Sequence, residues 1–435
     1  MSRPPLENRL LLLAIPSGAL RDADEFRRLA SELRDWDGLL NAAERLGAVA
    51  LLGKALDDAE APRPAAVDEA CRAALVRGTL RMALATRVLS EALAALRRAG
   101  VEALVLKGVP LAHELYDPPG LRPIGDIDLL VRSADRAAAF RALLAEGYAL
   151  PAGSLPRSFY FHHHFHVTLV RQGAEGLPLE LHWQAQPRFS LSRIPVDALR
   201  ARSRMIPCAG TEVPAPNREE TFLYLVQHFV RHLITFGPES AADPVAAMLE
   251  PARRGRLTWL ADLVLLARRP PGLDWDRVDR LEREWGLSSE SAGLRRYLAS
   301  IGVAPEVVAP GGSASGEASL RRIRRIAGLF PSMARASGGL QLRPILIARL
   351  WRFAFPGAEW IRWRYGLGSD ASRIGVAFRV LGHAAGVVLA AAWMGVALPS
   401  AWVRSRITHR GAPSSLPKSD RSAPGASPNC PRQIT

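Results

Sequence analysis

Two aspartates that alternate with apolar residues carry the clearest chemical signal in this sequence. Asp126 and Asp128 flank Ile127, and the segment continues into the apolar run Leu129–Val131. In a β-strand, residues i and i+2 lie on one face, so both carboxylates are expected to point the same way while Ile127 faces the core. Adjacent carboxylates repel each other unless a cation lies between them. Hard oxygen ligands with open positions suit Mg²⁺, with Mn²⁺ as the second candidate, and Mg²⁺ commonly binds one or two carboxylates together with substrate phosphates.

A third carboxylate lies on a second predicted strand. Glu180 alternates with leucines in Leu179–Trp183, and it joins Asp126 and Asp128 if the two strands pair. We interpret the aspartates as ligands of a metal that bridges nucleotide phosphates. Glu180 then holds a second metal or acts as the base on an attacking hydroxyl, so all three are predicted catalytic and metal-binding residues. The alternative for the aspartates is a turn followed by a solvated strand edge.

Cations and a glycine near the aspartates complete the predicted substrate site. Lys107 and Arg122 supply positive charge for phosphates, and Gly108 permits close approach of the backbone to a phosphate. His182 shares the strand face of Glu180, where we expect it to form hydrogen bonds or pack beside the substrate rather than act as a base. These four are the predicted substrate-binding residues.

The order of these short motifs resembles that of a known family. In chain order they are Lys107-Gly108, Tyr116, Arg122, Asp126-Ile127-Asp128 and Glu180-Leu181-His182-Trp183. The pattern resembles the nucleotidyltransferase fold of the DNA polymerase β superfamily and, more closely, a bacterial group of nucleotidyltransferase family proteins, over roughly residues 30–300. The resemblance implies Mg²⁺-dependent transfer of a nucleotidyl group from a nucleoside triphosphate (NTP) to an acceptor. Where the superfamily usually has Gly-Ser or Gly-Gly, this chain has Gly108-Val109.

The predicted fold class is α+β, with a small mixed-sheet nucleotidyltransferase core between helical subdomains. Helical periodicity covers 24–60 and 67–100, and further helices are predicted at 110–116 and, capped by Ser133, at 134–146. Strands are predicted at 103–106 and as a hairpin of 165–170 with 179–183, with helices covering one side of the sheet. The predicted divisions are an N-terminal helical subdomain (1–100), the core (101–212), a C-terminal helical subdomain (213–310), a basic and aromatic helical extension (311–410) and a disordered tail (411–435).

Histidines offer alternative metal sites. Along a strand, His162, His164 and His166 would share one face that zinc could use, but we favour a structural or substrate-lining role because no acidic or cysteine partner is predicted nearby. His228 and His232 have the i, i+4 spacing of a helical zinc site. The H-E-x-x-H glutamate is missing between them, so they are interpreted as fold markers, with a role in lining the substrate cleft as the alternative.

The amino-acid composition limits the kinds of partner that the protein could bind. The chain has 57 Lys and Arg against 42 Asp and Glu, which would attract nucleotides, nucleic acid or an anionic membrane, although a GC-rich genome also explains the arginines. Its three cysteines form no C-x-x-C pair, which fits a cytoplasmic protein without a disulfide framework. The acceptor stays open among a small molecule, a peptide, a glycan and RNA, the last because of the basic charge.

The C-terminal region suggests a second hypothesis. Residues 345–405 are basic and aromatic, and the charge-free stretch 380–403 has the length of a bilayer span, although its composition favours a buried or amphipathic helix. This region is the predicted peripheral membrane contact. The alternative function is therefore a non-catalytic binding protein that keeps the nucleotidyltransferase fold and associates with a membrane.

Overall fold

The computed structural model describes residues 6–15, 23–152, 154, 157–171, 176–186, 193–236, 255–288, 291, 293–295, 372, 375–383 and 385. The α+β class is confirmed, with a five-stranded mixed sheet and flanking helices. Most of the 311–410 extension and the whole 411–435 tail lie outside the described residues, and the subdomain boundaries stay predictions. Within the described part of the chain, no helix is both long and apolar enough to cross a membrane.

Helices precede, interrupt and follow the sheet. They are α1 (Leu6–Leu13), α2 (Ala23–Glu32), α3 (Trp36–Leu46), α4 (Val49–Asp58), α5 (Ala65–Arg98), α6 (Val109–Leu115), α7 (Arg136–Ala145), α8 (Arg157–His163), α9 (Val196–Ala201), α10 (Arg218–Phe236), α11 (Thr258–Arg268) and α12 (Trp275–Trp285). Residues 375–383 are also helical. The N-terminal helical blocks, α6 and α7 agree with the periodicity of the sequence. The predicted Ser133 cap is wrong, because Asp135 is the N-cap residue and the Ser133 hydroxyl accepts a hydrogen bond from Arg136 at 3.1 Å.

The main sheet has the spatial order β1-β2-β5-β4-β3. Its strands are β1 (Leu104–Val105), β2 (Ile127–Leu130), β3 (Tyr148–Ala149), β4 (His166–Arg171) and β5 (Leu179–His182). β2 and β5 are parallel and every other neighbouring pair is antiparallel. The predicted β4–β5 hairpin is confirmed, and its second strand lies directly beside the aspartate strand.

Strand alternation divides the core between two hydrophobic clusters. Ile127 and Leu129 lie with Leu181 in one cluster, which α5 and α7 cover. Leu104 and Leu130 lie on the opposite face, in a second cluster that contains residues of α1–α4 and of α10–α12. The expectation of helices on one side only is therefore wrong, because Leu104 of β1 and Leu130 of β2 give the second face of the sheet a hydrophobic core of its own.

The long helix α5 belongs to both clusters. Val67 and Cys71 near its beginning pack in the cluster that contains α4. Its second half, including Leu89, packs in the cluster that contains Ile127 and Leu129 of the sheet. Midway along the helix, Gly78 lies against the backbone of Gly120, where an added Cβ would be 2.2 Å from the Gly120 carbonyl oxygen. This contact allows the segment that leads into β2 to pack directly on the helix.

A second hairpin, absent from the sequence-based prediction, follows α9. β6 (Arg204–Cys208) and β7 (Thr211–Ala215) are antiparallel and joined by Ala209 and Gly210, both with positive φ. Two residues with positive φ form the tight turn that matches strand twist. Ile206 and Val213 bury the inner face of the hairpin in the cluster under the main sheet.

Candidate active site

Pairing of β2 with β5 brings the three predicted carboxylates together. Asp128 and Glu180 are register partners across the parallel strands, and Asp126 immediately precedes β2. One oxygen from each of the three carboxylates lies within 4.8 Å of the others. Asp128 is almost fully buried, whereas the side chain of Asp126 is 37% exposed and Glu180 is 25% exposed. The cluster therefore has a closed side at Asp128 and an accessible side at the other two.

Lys107 lies between the two aspartates. Its Nζ is 3.0 Å from Asp126 Oδ1 and 2.5 Å from Asp128 Oδ2. Burial lowers the pKa of Lys107, but attraction to both aspartates outweighs it and raises that pKa above its usual value. Burial likewise raises the pKa of Asp128, yet Lys107 and His182 together leave it well below the ordinary range. Burial and the neighbouring Asp128 raise the pKa of Asp126. The lysine thus compensates charge within the site, and its role toward a substrate stays a prediction.

His182 joins Asp128 to Glu180. Its Nε2 is 3.2 Å from Asp128 Oδ1 and also 3.2 Å from Glu180 Oε2. Burial lowers the pKa of His182, but the hydrogen bonds to both carboxylates outweigh it and raise the pKa overall. The same contact keeps the pKa of Glu180 below its usual value despite its partial burial. The imidazole therefore orders two of the three carboxylates, and its role toward a substrate stays a prediction.

Glu180 also belongs to a second group of potential metal ligands, together with two histidines. His166 pairs with His182 across β4 and β5, and its Nε2 is 3.8 Å from Glu180 Oε2. His166, Glu180 and His182 each offer one ligand atom within 4.8 Å of the other two. The expectation that no acidic group is near this histidine run is wrong, because β4 pairs with the strand of Glu180. The shared strand face is also wrong, since His162 belongs to helix α8.

Gly108 forms the entrance to α6. It is the N-cap residue, with φ +82° and ψ −114°, a conformation that residues with a Cβ rarely adopt. A Cβ at this position would lie 3.7 Å from the carbonyl oxygen of Asp126. The glycine thus allows the chain to turn from Lys107 into a helix directly beside the aspartate strand. Its predicted contact with a phosphate stays a prediction.

Arg122 is held by a buried partner far away in sequence. Its guanidinium donates two hydrogen bonds to Asp262, at 3.0 Å and 2.6 Å, and the hydroxyl of Tyr116 donates a third at 2.7 Å. All three side chains are buried. This triad anchors the segment before β2 to helix α11. A role of Arg122 toward phosphate stays a prediction.

Helix α10 supplies two residues that sequence reasoning missed, Tyr224 and Arg231, beside the two histidines that it singled out. Tyr224, His228, Arg231 and His232 recur at helical spacing i, i+4, i+7 and i+8. The Nε2 atoms of the two histidines are 3.3 Å apart, and the His232 ring stacks on Trp259 with centroids 4.2 Å apart. The guanidinium carbon of Arg231 lies 5.6 Å from the centroid of the Phe165 ring, and that ring contacts the imidazole of His182, which places this face of α10 beside the carboxylates. The helical spacing of these residues was visible in the sequence, but the residues that they contact were not.

Clustered carboxylates on neighbouring strands of a mixed sheet, which could hold a metal ion, are typical of enzymes that transfer phosphoryl or nucleotidyl groups. A model of the uncharacterised nucleotidyltransferase family matches residues 32–301. The chain belongs to this family of nucleotidyltransferases, as its motifs predicted. A search of curated proteins and a search of solved structures found no match. The placement in the DNA polymerase β superfamily and a bacterial origin stay expectations.

The donor atoms fit a hard divalent cation. Asp126, Asp128 and Glu180 provide carboxylate oxygens close enough to share one ion. The ammonium of Lys107 between the two aspartates shows that this cluster already attracts a positive charge. Asp126, Asp128 and Glu180 could therefore hold a divalent metal ion. The second group, with the imidazoles of His166 and His182 and the carboxylate of Glu180, would suit a softer metal ion.

Proposed function

We propose that the protein is a Mg²⁺-dependent nucleotidyltransferase that moves a nucleotidyl group from an NTP to an acceptor hydroxyl or phosphate. The observation that carries the proposal is the convergence of the Asp126, Asp128 and Glu180 oxygens within 4.8 Å on neighbouring strands. Family membership supports the same class of reaction. Mn²⁺ is the second candidate metal, since it has similar ligand preferences.

The chain's own residues have distinct tasks in this reaction. The acceptor oxygen attacks the α-phosphorus, the bond from that phosphorus to pyrophosphate breaks, and the acceptor proton passes to Glu180. A lowered pKa keeps Glu180 ionised and so able to bind a cation, while the same shift makes the carboxylate a weaker base toward the acceptor proton. A bound metal would neutralise phosphate charge. His182 holds Glu180 and Asp128 in a fixed relation during the transfer.

The test is NTP binding by calorimetry in the presence of Mg²⁺. We expect the wild type to bind at least one of ATP, CTP, GTP and UTP, and Asp126→Asn with Asp128→Asn to abolish binding. The matched control is Asp24→Asn with Asp37→Asn, which neutralises two aspartates in the first turns of α2 and α3. Circular dichroism verifies that each variant is folded. Nucleotides that bind are then used, with a radioactive label on the α-phosphate, to screen for an acceptor.

A non-catalytic binding protein is the second candidate. The specific observation in its favour is that Lys107 already compensates both aspartates, at 3.0 Å and 2.5 Å. Under this alternative the carboxylates are a structural ion-pair cluster, and Lys107→Met causes unfolding without revealing a metal site. If the wild type binds no NTP with Mg²⁺ or Mn²⁺, the transferase proposal is refuted and this candidate takes its place.

A further inference from the structure

The cations predicted to receive phosphates are already engaged in the folded chain. Lys107 is paired with Asp126 and Asp128, and Arg122 is paired with Asp262 in the buried triad. An NTP carries several negative charges next to its reacting phosphorus, and three carboxylates at the site repel it. A phosphate-binding site therefore needs another positive group within reach of Glu180.

Arg231 on α10 satisfies this requirement. Its guanidinium carbon lies 5.6 Å from the centroid of the Phe165 ring, which in turn contacts the rings of His166 and His182. Both histidines are within 3.8 Å of Glu180. Arg231 is half-buried, and none of the carboxylates that the structure describes lies within ion-pair distance of it. Within the described part of the chain, the guanidinium thus lies over an aromatic ring and has no carboxylate in an ion pair with its N–H groups.

The two histidines of α10 do not supply charge of their own. Burial lowers the pKa of His232 to about 4, and it also holds the pKa of His228 below the usual value. These imidazoles are neutral near pH 7 and can donate or accept hydrogen bonds. Arginine keeps its charge at any physiological pH and offers paired donors that match two phosphate oxygens. Arg231 is consequently the permanent charge on the α10 side of the carboxylates.

We propose that Arg231 binds the phosphate groups of the nucleotide, so that the phosphates lie between α10 and the end of β5. This inference rests on the proposed function, because it assigns the phosphate-binding residue of the same site. His232, stacked on Trp259, forms the neighbouring wall. The sequence assigned Lys107 and Arg122 to the phosphates, and the proposal adds Arg231 from helix α10 to them.

The experiment measures binding of two probes, inorganic triphosphate without metal and ATP with Mg²⁺, to the full chain. Arg231→Met keeps an apolar side chain of similar length and removes the charge, whereas Arg231→Lys keeps the charge and loses the paired donors. We expect Arg231→Met to bind both probes about 10- to 100-fold more weakly, the usual effect of losing hydrogen bonds to a charged group. Arg231→Lys should lie between Arg231→Met and the wild type.

Arg28→Met is the control, because it removes one arginine charge from an exposed ion pair on α2. It should bind both probes like the wild type, and equal loss in this control and in Arg231→Met would overturn the inference. Equal binding of triphosphate by wild type and Arg231→Met, or no binding by the wild type, would also overturn it. If triphosphate binding depends on Arg231 but Mg²⁺-ATP does not bind, the transferase proposal fails while the phosphate assignment stands.

Discussion

Removing the carboxylate of Asp262 is expected to destabilise the protein severely. The residue is 1% exposed and accepts hydrogen bonds from Arg122 and Tyr116, which are 6% and 4% exposed. Asp262→Ala leaves a buried guanidinium without a counter-charge. Breaking a buried ion pair in this way costs about 3–5 kcal/mol, a large share of the 5–15 kcal/mol that typically stabilises a folded chain.

Replacing the whole triad separates the cost of an orphaned charge from the value of the triad. Arg122→Met with Asp262→Leu removes both charges but leaves the buried Tyr116 hydroxyl without an acceptor, which costs about 1–3 kcal/mol. Adding Tyr116→Phe removes that remaining penalty. We expect the triple variant to be within about 1 kcal/mol of the wild type, because well-packed apolar residues often replace buried ion pairs without loss.

Urea unfolding followed by circular dichroism provides the free energies of unfolding. A loss below about 1 kcal/mol in Asp262→Ala would refute the reasoning. Binding of Mg²⁺-NTP to the triple variant then tests Arg122 separately. Retained affinity assigns Arg122 to anchoring alone, whereas loss of affinity in a stable triple variant would show that its guanidinium also contacts the nucleotide.

Three further predictions concern other parts of the structure. Gly108→Ala should cost about 1–3 kcal/mol, because its φ of +82° and ψ of −114° lie in a region that residues with a Cβ rarely adopt, and it should also weaken NTP binding. Gly100→Ala, with φ +69° and open space around it, should cost about 1–2 kcal/mol and leave binding unchanged. Thermal unfolding and calorimetry check both variants. Gly78→Ala should destabilise by about 1–3 kcal/mol in urea, because a clash with the Gly120 backbone outweighs the roughly 1 kcal/mol gain in helix propensity. The raised pKa of His182 means that its stabilising contribution is fully present below pH 6.5 and is lost as pH rises through the folded-state pKa, so the stability difference between wild type and His182→Gln should shrink from pH 6 to pH 9. An unchanged difference across that range would exclude a raised pKa of His182 in the folded protein.

The strand alternation of the carboxylates was predictable because it is a local property. Asp126, Asp128 and Glu180 each sit beside apolar residues at a spacing of two, which indicates both a strand and a polar face. Their meeting depends on parallel pairing of β2 with β5 in the Asp128–Glu180 register. Parallel pairing joins segments that are distant along the chain, and alternation alone allows several partners. The resemblance to a known family, rather than the spacing, made that pairing an expectation.

Other features depended on contacts that no local pattern contains. Arg122 has the residue type of a phosphate ligand, but its partner Asp262 lies 140 positions away on α11. Arg231 follows the helical period without any sign of which element it faces. The β6–β7 hairpin had a local signal, alternating buried residues around Ala209-Gly210. Pro207 and Pro214 obscured it, because proline within a run argues against a central strand.

The length of helix α5 influences how the protein unfolds. With 34 residues and a rise of about 1.5 Å each, it extends for about 50 Å and contributes side chains to both hydrophobic clusters. A unit that unfolds locally must release its own contacts without disturbing its neighbours. Since both clusters share this one continuous helix, loosening the cluster that contains α1–α4 and α10–α12 removes support from the part of α5 that packs against the sheet. The carboxylate strand therefore depends on packing far from the site, and slow hydrogen exchange should extend along α5 as one cooperative block.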